Sequence, residues 1–131
     1  MGIVSGILNR LFPTESMRLI RKAEKAPRFQ PGEINFRGLK LEVTDQLSVA
    51  WQIREIFEDQ ELQFKPASPE PVIYDCGSNV GISVIYFKKQ FPGAHVKAFE
   101  PDPGVFKCLF HRSEEHTSEL QSPDHLVCRL L

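Results

Sequence analysis

Cysteine is scarce and unpaired: Cys76, Cys108 and Cys128 fall into no C-x-x-C pattern and no metal-ligand spacing. No disulfide framework and no metal site follow from them, and an odd, unpatterned set suits a reducing compartment, hence a cytoplasmic location. No apolar run reaches the length of a membrane span. Excess charge of one sign is also missing: the formal net charge is -1, which gives no global attraction to nucleic acid or to an anionic membrane. The dinucleotide fingerprint Gly-x-Gly-x-x-Gly is absent, because counting from Gly77 its second and third glycine positions hold Asn79 and Ile82. What the chain does have is a hydrophobic content of 41%, enough for a packed core. Its 131 residues suffice for one modest domain, yet are few for a complete doubly wound sheet.

The chemistry gathers in Val72-Ile73-Tyr74-Asp75-Cys76-Gly77-Ser78-Asn79-Val80-Gly81. Val72 to Tyr74 read as a central parallel strand covered on both faces. After Gly81, apolar residues at Ile82, Ile85 and Tyr86 and at Val84, Phe87 and Phe91 keep helical spacing, so the glycine turn lies between a strand and a helix. Such a turn aims backbone N–H groups and the positive end of a helix above the strand, and glycine lets a ligand approach without a Cβ in the way. A second strand, His95 to Phe99, ends in Glu100-Pro101-Asp102. A β-α-β unit of this length sets the two strands parallel, with Glu100 at the same edge as the turn, where a carboxylate can accept from both hydroxyls of a ribose. An acid in place of an apolar residue at the end of the first strand disfavours a pyrophosphate and tolerates a cation.

The pattern Asp75-x-Gly77-x-x-x-Gly81, followed by Glu100-Pro101-Asp102-Pro103, resembles the S-adenosylmethionine site of Rossmann-like methyltransferases. The words Tyr74 to Ser83 and Phe99 to Pro103 are similar to the FkbM family of O-methyltransferases, over about residues 33 to 110. That resemblance implies an α/β fold, here the N-terminal part of a Rossmann-like methyltransferase with an incomplete parallel sheet, preceded by helices and a β-hairpin. It implies S-adenosylmethionine as cofactor, cradled by Asp75, Gly77, Ser78, Asn79 and Gly81 with Glu100 on the ribose. It further implies methyl transfer to a hydroxyl of a small molecule or glycan. No catalytic base can be named, and no metal or nucleic-acid partner is expected. The alternative is a non-catalytic module binding a nucleotide or a partner through the N-terminal helices, with NAD binding less favoured.

Upstream, Ile3, Val4, Ile7, Leu8 and Leu11 share one helical face, and Pro13 ends that stretch. A second helix is expected from about Glu15 to Lys25. Residues 1 to 40 hold eight Lys and Arg against three acids, a bias read as a solvated helix face, with peripheral contact to a membrane as the lesser reading. Pro27 to Gly32 reads as a linker, so residues 1–32 form an N-terminal extension and 33–111 the partial methyltransferase domain. Alternation about Arg37-Gly38 predicts a hairpin, Thr44-Asp45 an N-cap, and Gln46 to Glu58 a helix with Val49, Ile53, Ile56 and Phe57 inward. Trp51 is expected in the core, the acids between Glu42 and Glu61 on a solvated face, and Leu62 to Phe64 in a short strand. Cys76 reads as a small buried filler rather than a reactive thiol. From Arg112 the composition changes, and Arg112 to Ser122 resembles a translated sequencing-library adapter. Residues 112–131 are therefore expected to be a non-native tail, His116, His125 and Cys128 included. Two parallel strands without sheet neighbours predict a poorly stable, inactive chain.

Overall fold

The computed structural model describes residues 13–115, with side chains as far as His111. The stretch before Pro13 and the tail with His116, His125 and Cys128 lie outside the described residues. The elements run in the order helix, hairpin, helix, then strand, helix, strand, helix.

Helix α1, Glu15–Ala23, starts at Thr14, whose hydroxyl accepts the Met17 N–H at 3.4 Å. Strands β1, Gly32–Phe36, and β2, Leu39–Val43, pair antiparallel with Phe36 opposite Leu39. Their two-residue turn takes positive φ at Arg37 (50°) and Gly38 (81°), the conformation that matches the twist of a tight hairpin. Alternation then sends Ile34, Phe36, Leu41 and Val43 into the core.

Helix α2, Gln46–Ile53, passes into a π-helical turn, Arg54–Glu58. Asp45 occupies the N-cap position but makes no capping bond. Its carboxylate is taken instead by Arg28 (2.8 Å), by the Phe29 N–H (3.3 Å) and by the Ser48 hydroxyl. The guanidinium beside it holds the Asp45 carboxyl well below the usual carboxylate range. So the acids of this region are not all solvated: Asp45 is buried, and Glu58 accepts from the Thr14 hydroxyl at 2.9 Å. Trp51 is 41% exposed with the Arg54 guanidinium 5.4 Å from its ring, so it caps the surface rather than filling the core. Leu62 to Phe64 form no strand; Gln63 N–H bonds Gln60 in a turn, and Phe64 packs against Phe87 and Phe91.

Strand β3, Val72–Cys76, leads to α3, Ile82–Gln90, and then to β4, His95–Phe99, which pairs parallel with β3. The Lys88 ammonium donates to the Ala94 carbonyl at 2.6 Å and pins the α3–β4 connection; burial lowers its pKa. Helix α4, Pro103–Glu115, runs on through the change in composition at Arg112. It packs beside β2, with His111 3.3 Å from Glu42.

The core has two parts. Ile20 and Ala23 of α1 join the hairpin, α2, Val80 and Ile82 in one, and Ile73, Tyr86, Phe87 and Val96 form the other. Residues on both sides of the Pro27–Gly32 loop thus share a core. Phe57 bridges the parts, edge-on to Phe36 at 5.0 Å and to Tyr86 at 5.4 Å.

Coverage of β3 differs from the expectation. Ile73 is buried, but Val72 is 56% and Tyr74 63% exposed, and Cys76 is exposed rather than a filler. One face of the β3–β4 pair packs on α3; among the described residues nothing lies over the other.

Candidate functional site

The parallel register sets Asp75 opposite Ala98 and Cys76 opposite Phe99, so β3 and β4 end side by side. Backbone bonds then lace the turn to β4. The Phe99 carbonyl accepts from Gly77 N–H (2.8 Å) and Ser78 N–H (3.0 Å), and the Ser78 hydroxyl accepts from Phe99 N–H (3.2 Å) while donating to the Asp75 carbonyl (2.7 Å). Ser78 is buried, and its role is to knit the two strand ends together.

Three residues of the turn take positive φ: Gly77 at 88°, Asn79 at 49° and Gly81 at 88°. Gly81 closes the turn by donating to the Ser78 carbonyl at 2.9 Å and is the N-cap residue of α3 without a side-chain cap, so the first amides of α3 have no capping side chain. A Cβ placed at Gly77 would meet nothing within 4 Å. Glycine there answers a backbone requirement and leaves the space above the strand end open. Val80, between them, is fully buried and anchors the turn in the first core.

Two carboxylates face this turn from different elements. The Asp75 carboxylate accepts the hydroxyl of Ser83, a buried residue in the first turn of α3. Glu100, 8% exposed, accepts the Asn79 N–H at 3.0 Å through one oxygen and the Asp102 N–H at 2.9 Å through the other. Glu100 therefore clamps the glycine turn to the start of α4. A carboxylate offers about four acceptor positions, so two remain on Glu100 after these bonds. Asp102 in turn caps α4, its Oδ1 accepting Gly104 N–H (2.8 Å) and Val105 N–H (3.0 Å), with Pro103 in the first helical position.

The structure thus brings Asp75, Gly77, Ser78, Asn79, Gly81 and Glu100 to one edge of one parallel pair. Ser83 and Asp102 belong with them and were not singled out by sequence reasoning. Asp-Pro at the head of an apolar run is a readable cap signal, whereas the Ser83–Asp75 bond spans a turn whose path only the fold determines. Among the described residues no group of three or more His, Cys, Asp or Glu could hold a metal ion, and no helix is long and apolar enough to cross a membrane.

No protein-family model matches the chain. Over 71 residues it is 32% identical to Methyltransferase 1 of Beauveria bassiana, and over 56 residues 36% identical to methyltransferase sdnD of Sordaria araneosa. The matched segments take up 54% and 43% of this chain but only 28% and 22% of those proteins, so the chain spans a minor part of the curated relatives it matches. Among solved structures it is similar in outline to a geranyl diphosphate C-methyltransferase of Streptomyces coelicolor, crystallised with Mg2+, geranyl diphosphate and S-adenosyl-L-homocysteine. That likeness has TM-score 0.44 at 17% identity and covers 91% of this chain and 47% of that one. A Pyrococcus horikoshii protein designated a transferase gives TM-score 0.48 at 15% identity over 96% of this chain and 61% of its own. Both likenesses concern the path of the backbone alone.

Proposed function

We propose that the β3–α3 turn and the end of β4 form the methyl-donor site of an S-adenosylmethionine-dependent methyltransferase of FkbM type, acting on a hydroxyl of a small molecule or glycan. The observation that carries it is the convergence of Asp75, the Gly77–Gly81 turn and Glu100 on one edge of a parallel pair. The methyltransferases matched over 71 and 56 residues support the same reading.

The residues present fit the donor. Open space above Gly77 admits a ligand against the backbone, and two acids suit a cation better than a pyrophosphate. Glu100 keeps lone pairs for a ribose diol, and its two backbone bonds fix their direction before any ligand arrives. Ser83 holds the Asp75 carboxylate in one rotamer, toward the donor's amino group. When bound, S-adenosylmethionine supplies an electrophilic methyl group on a cationic sulfur. The protein's own contribution is position, since an in-line displacement gains most from reactants held in register.

Calorimetric titration of S-adenosylhomocysteine into the native protein tests the reading. Glu100→Gln is expected to weaken binding about tenfold or more, as loss of a charge-assisted acceptor does, and Ser83→Ala about fivefold, with Ser83→Thr largely restoring it. Circular dichroism should show each variant folded. Absence of heat with the folded native protein, or NADH binding in its place, rejects the proposal.

A further inference from the structure

Helix α1 has two unlike faces. Ser16, Ile20 and Ala23 are buried against the core, which fixes the helix so that it cannot roll. Arg18, Arg21, Lys22 and Lys25 stand at i, i+3, i+4 and i+7, the spacing of a single face, and all four are exposed. Among the described residues none of the four forms an ion pair; Arg18 donates only to the Pro13 carbonyl, at 3.1 Å. The nearest acid on the helix, Glu15, has its carboxylate bound to the Arg37 N–H at 3.0 Å.

At the end of this stripe stands Phe29, 79% exposed with φ 56°. A bulky residue in that conformation is strained, and a large ring in water gains nothing from folding. The structure nevertheless over-determines its position. Arg28 pairs with buried Asp45 at 2.8 Å, the Phe29 N–H donates to the same carboxylate at 3.3 Å, and the guanidinium lies 4.8 Å from the ring centroid. Preceding the described residues, the sequence carries Ile3, Val4, Ile7, Leu8, Leu11 and Phe12 with Arg10 and no acid.

From this arrangement we propose that the outer face of α1, with Phe29 at its end, docks the protein on an anionic phospholipid bilayer. A cationic stripe alone gives weak, salt-sensitive attraction; a stripe joined to apolar residues supplies the two signals that stable peripheral binding takes. A nucleic-acid strand is the poorer occupant, because stacking surfaces alternate with cations along such sites and no aromatic residue lies within this stripe. The proposal is independent of the methyl-donor reading.

Co-sedimentation of the full chain with sucrose-loaded vesicles decides it. Vesicles of phosphatidylcholine containing about a third phosphatidylserine are expected to retain the protein, pure phosphatidylcholine vesicles to leave it in solution, and salt to weaken retention. R21E/K22E should lower partitioning about tenfold or more. Phe29→Gly removes the ring and the positive-φ strain together, so it should cut partitioning several-fold while the melting temperature stays level or rises, which separates docking from folding. Equal partitioning onto both vesicles, or insensitivity to R21E/K22E, overturns the proposal. Failure on vesicles with salt-sensitive binding to an RNA oligomer overturns it in favour of a general polyanion site.

Discussion

Asp45 shows how far one residue's role depends on what folding brings to it. In the sequence it is an acid before an apolar helix, the usual place for a cap. In the structure the Arg28 guanidinium, folded back from across the linker, outcompetes the helix amides for its oxygens. A charge-assisted bidentate pair is about twice as strong as a neutral hydrogen bond, which decides that contest. Arg28 is 47% exposed and Asp45 only 8%, so removing the acid leaves a partly solvated cation rather than a stranded one. Asp45→Asn is therefore expected to cost about 1–3 kcal/mol, below the value for a fully buried pair. The sign of its pH dependence follows from the depressed carboxyl: folding favours the charged form, so the contribution is complete above the unfolded pKa of about 4 and drains as pH falls below it. Urea melts at pH 7 and pH 3 should show the gap between native protein and variant narrowing with acid. A gap of constant size rejects the ion pair as its cause.

Among the elements, the π-helical turn at Arg54–Glu58 carries more of the fold than its length suggests. It places Phe57 between the hairpin and α3, touching Phe36 and Tyr86 edge-on, with the Arg37 guanidinium 4.8 Å from its ring. Phe57→Ala should cost about 3–4 kcal/mol by opening a void at that junction, and Phe57→Leu about 1–2 by losing the edge-on contacts while keeping most of the volume. Chemical denaturation measures both; equal losses for the two variants would show that volume alone matters. The helix itself was readable from Val49, Ile53, Ile56 and Phe57, but its widening was not, because no proline, glycine or charge marks a π turn. The hairpin, the glycine turn and the parallel β3–α3–β4 unit were readable because alternation, positive-φ residues and helical spacing are local signals. Misread were the features set by partners distant in sequence: exposed Trp51 under Arg54, exposed Cys76, and the Phe64 turn against Phe87 and Phe91. In the candidate site the acids and glycines were legible, while the Ser83 and Asp102 bonds depended on how the turn closes.

At the scale of the molecule, the two cores leave one surface unanswered. Parallel sheets are found covered on both faces, since their strands are apolar on both. Here β3 pairs with β4 alone among the described residues, and the face away from α3 carries Val72, Tyr74 and Cys76 in the open. The protein partly screens it: Tyr74 stacks on Phe99 at 6.4 Å and Lys97 reaches over the Tyr74 ring at 5.4 Å. A lysine over an aromatic edge is a common guard against strand addition, yet one lysine shields only one of three exposed positions. Two copies of the chain can bury these faces against each other, which gains about 25 cal/mol for each square ångström of apolar surface removed from water. Sedimentation velocity of the 131-residue chain is therefore expected to show association that grows with concentration. Val72→Lys with Tyr74→Lys should return it to a monomer with little change in melting temperature, because both side chains already face water. A chain monomeric at every concentration, or a double variant that associates as before, would show that the open face of β3 is not what brings copies together.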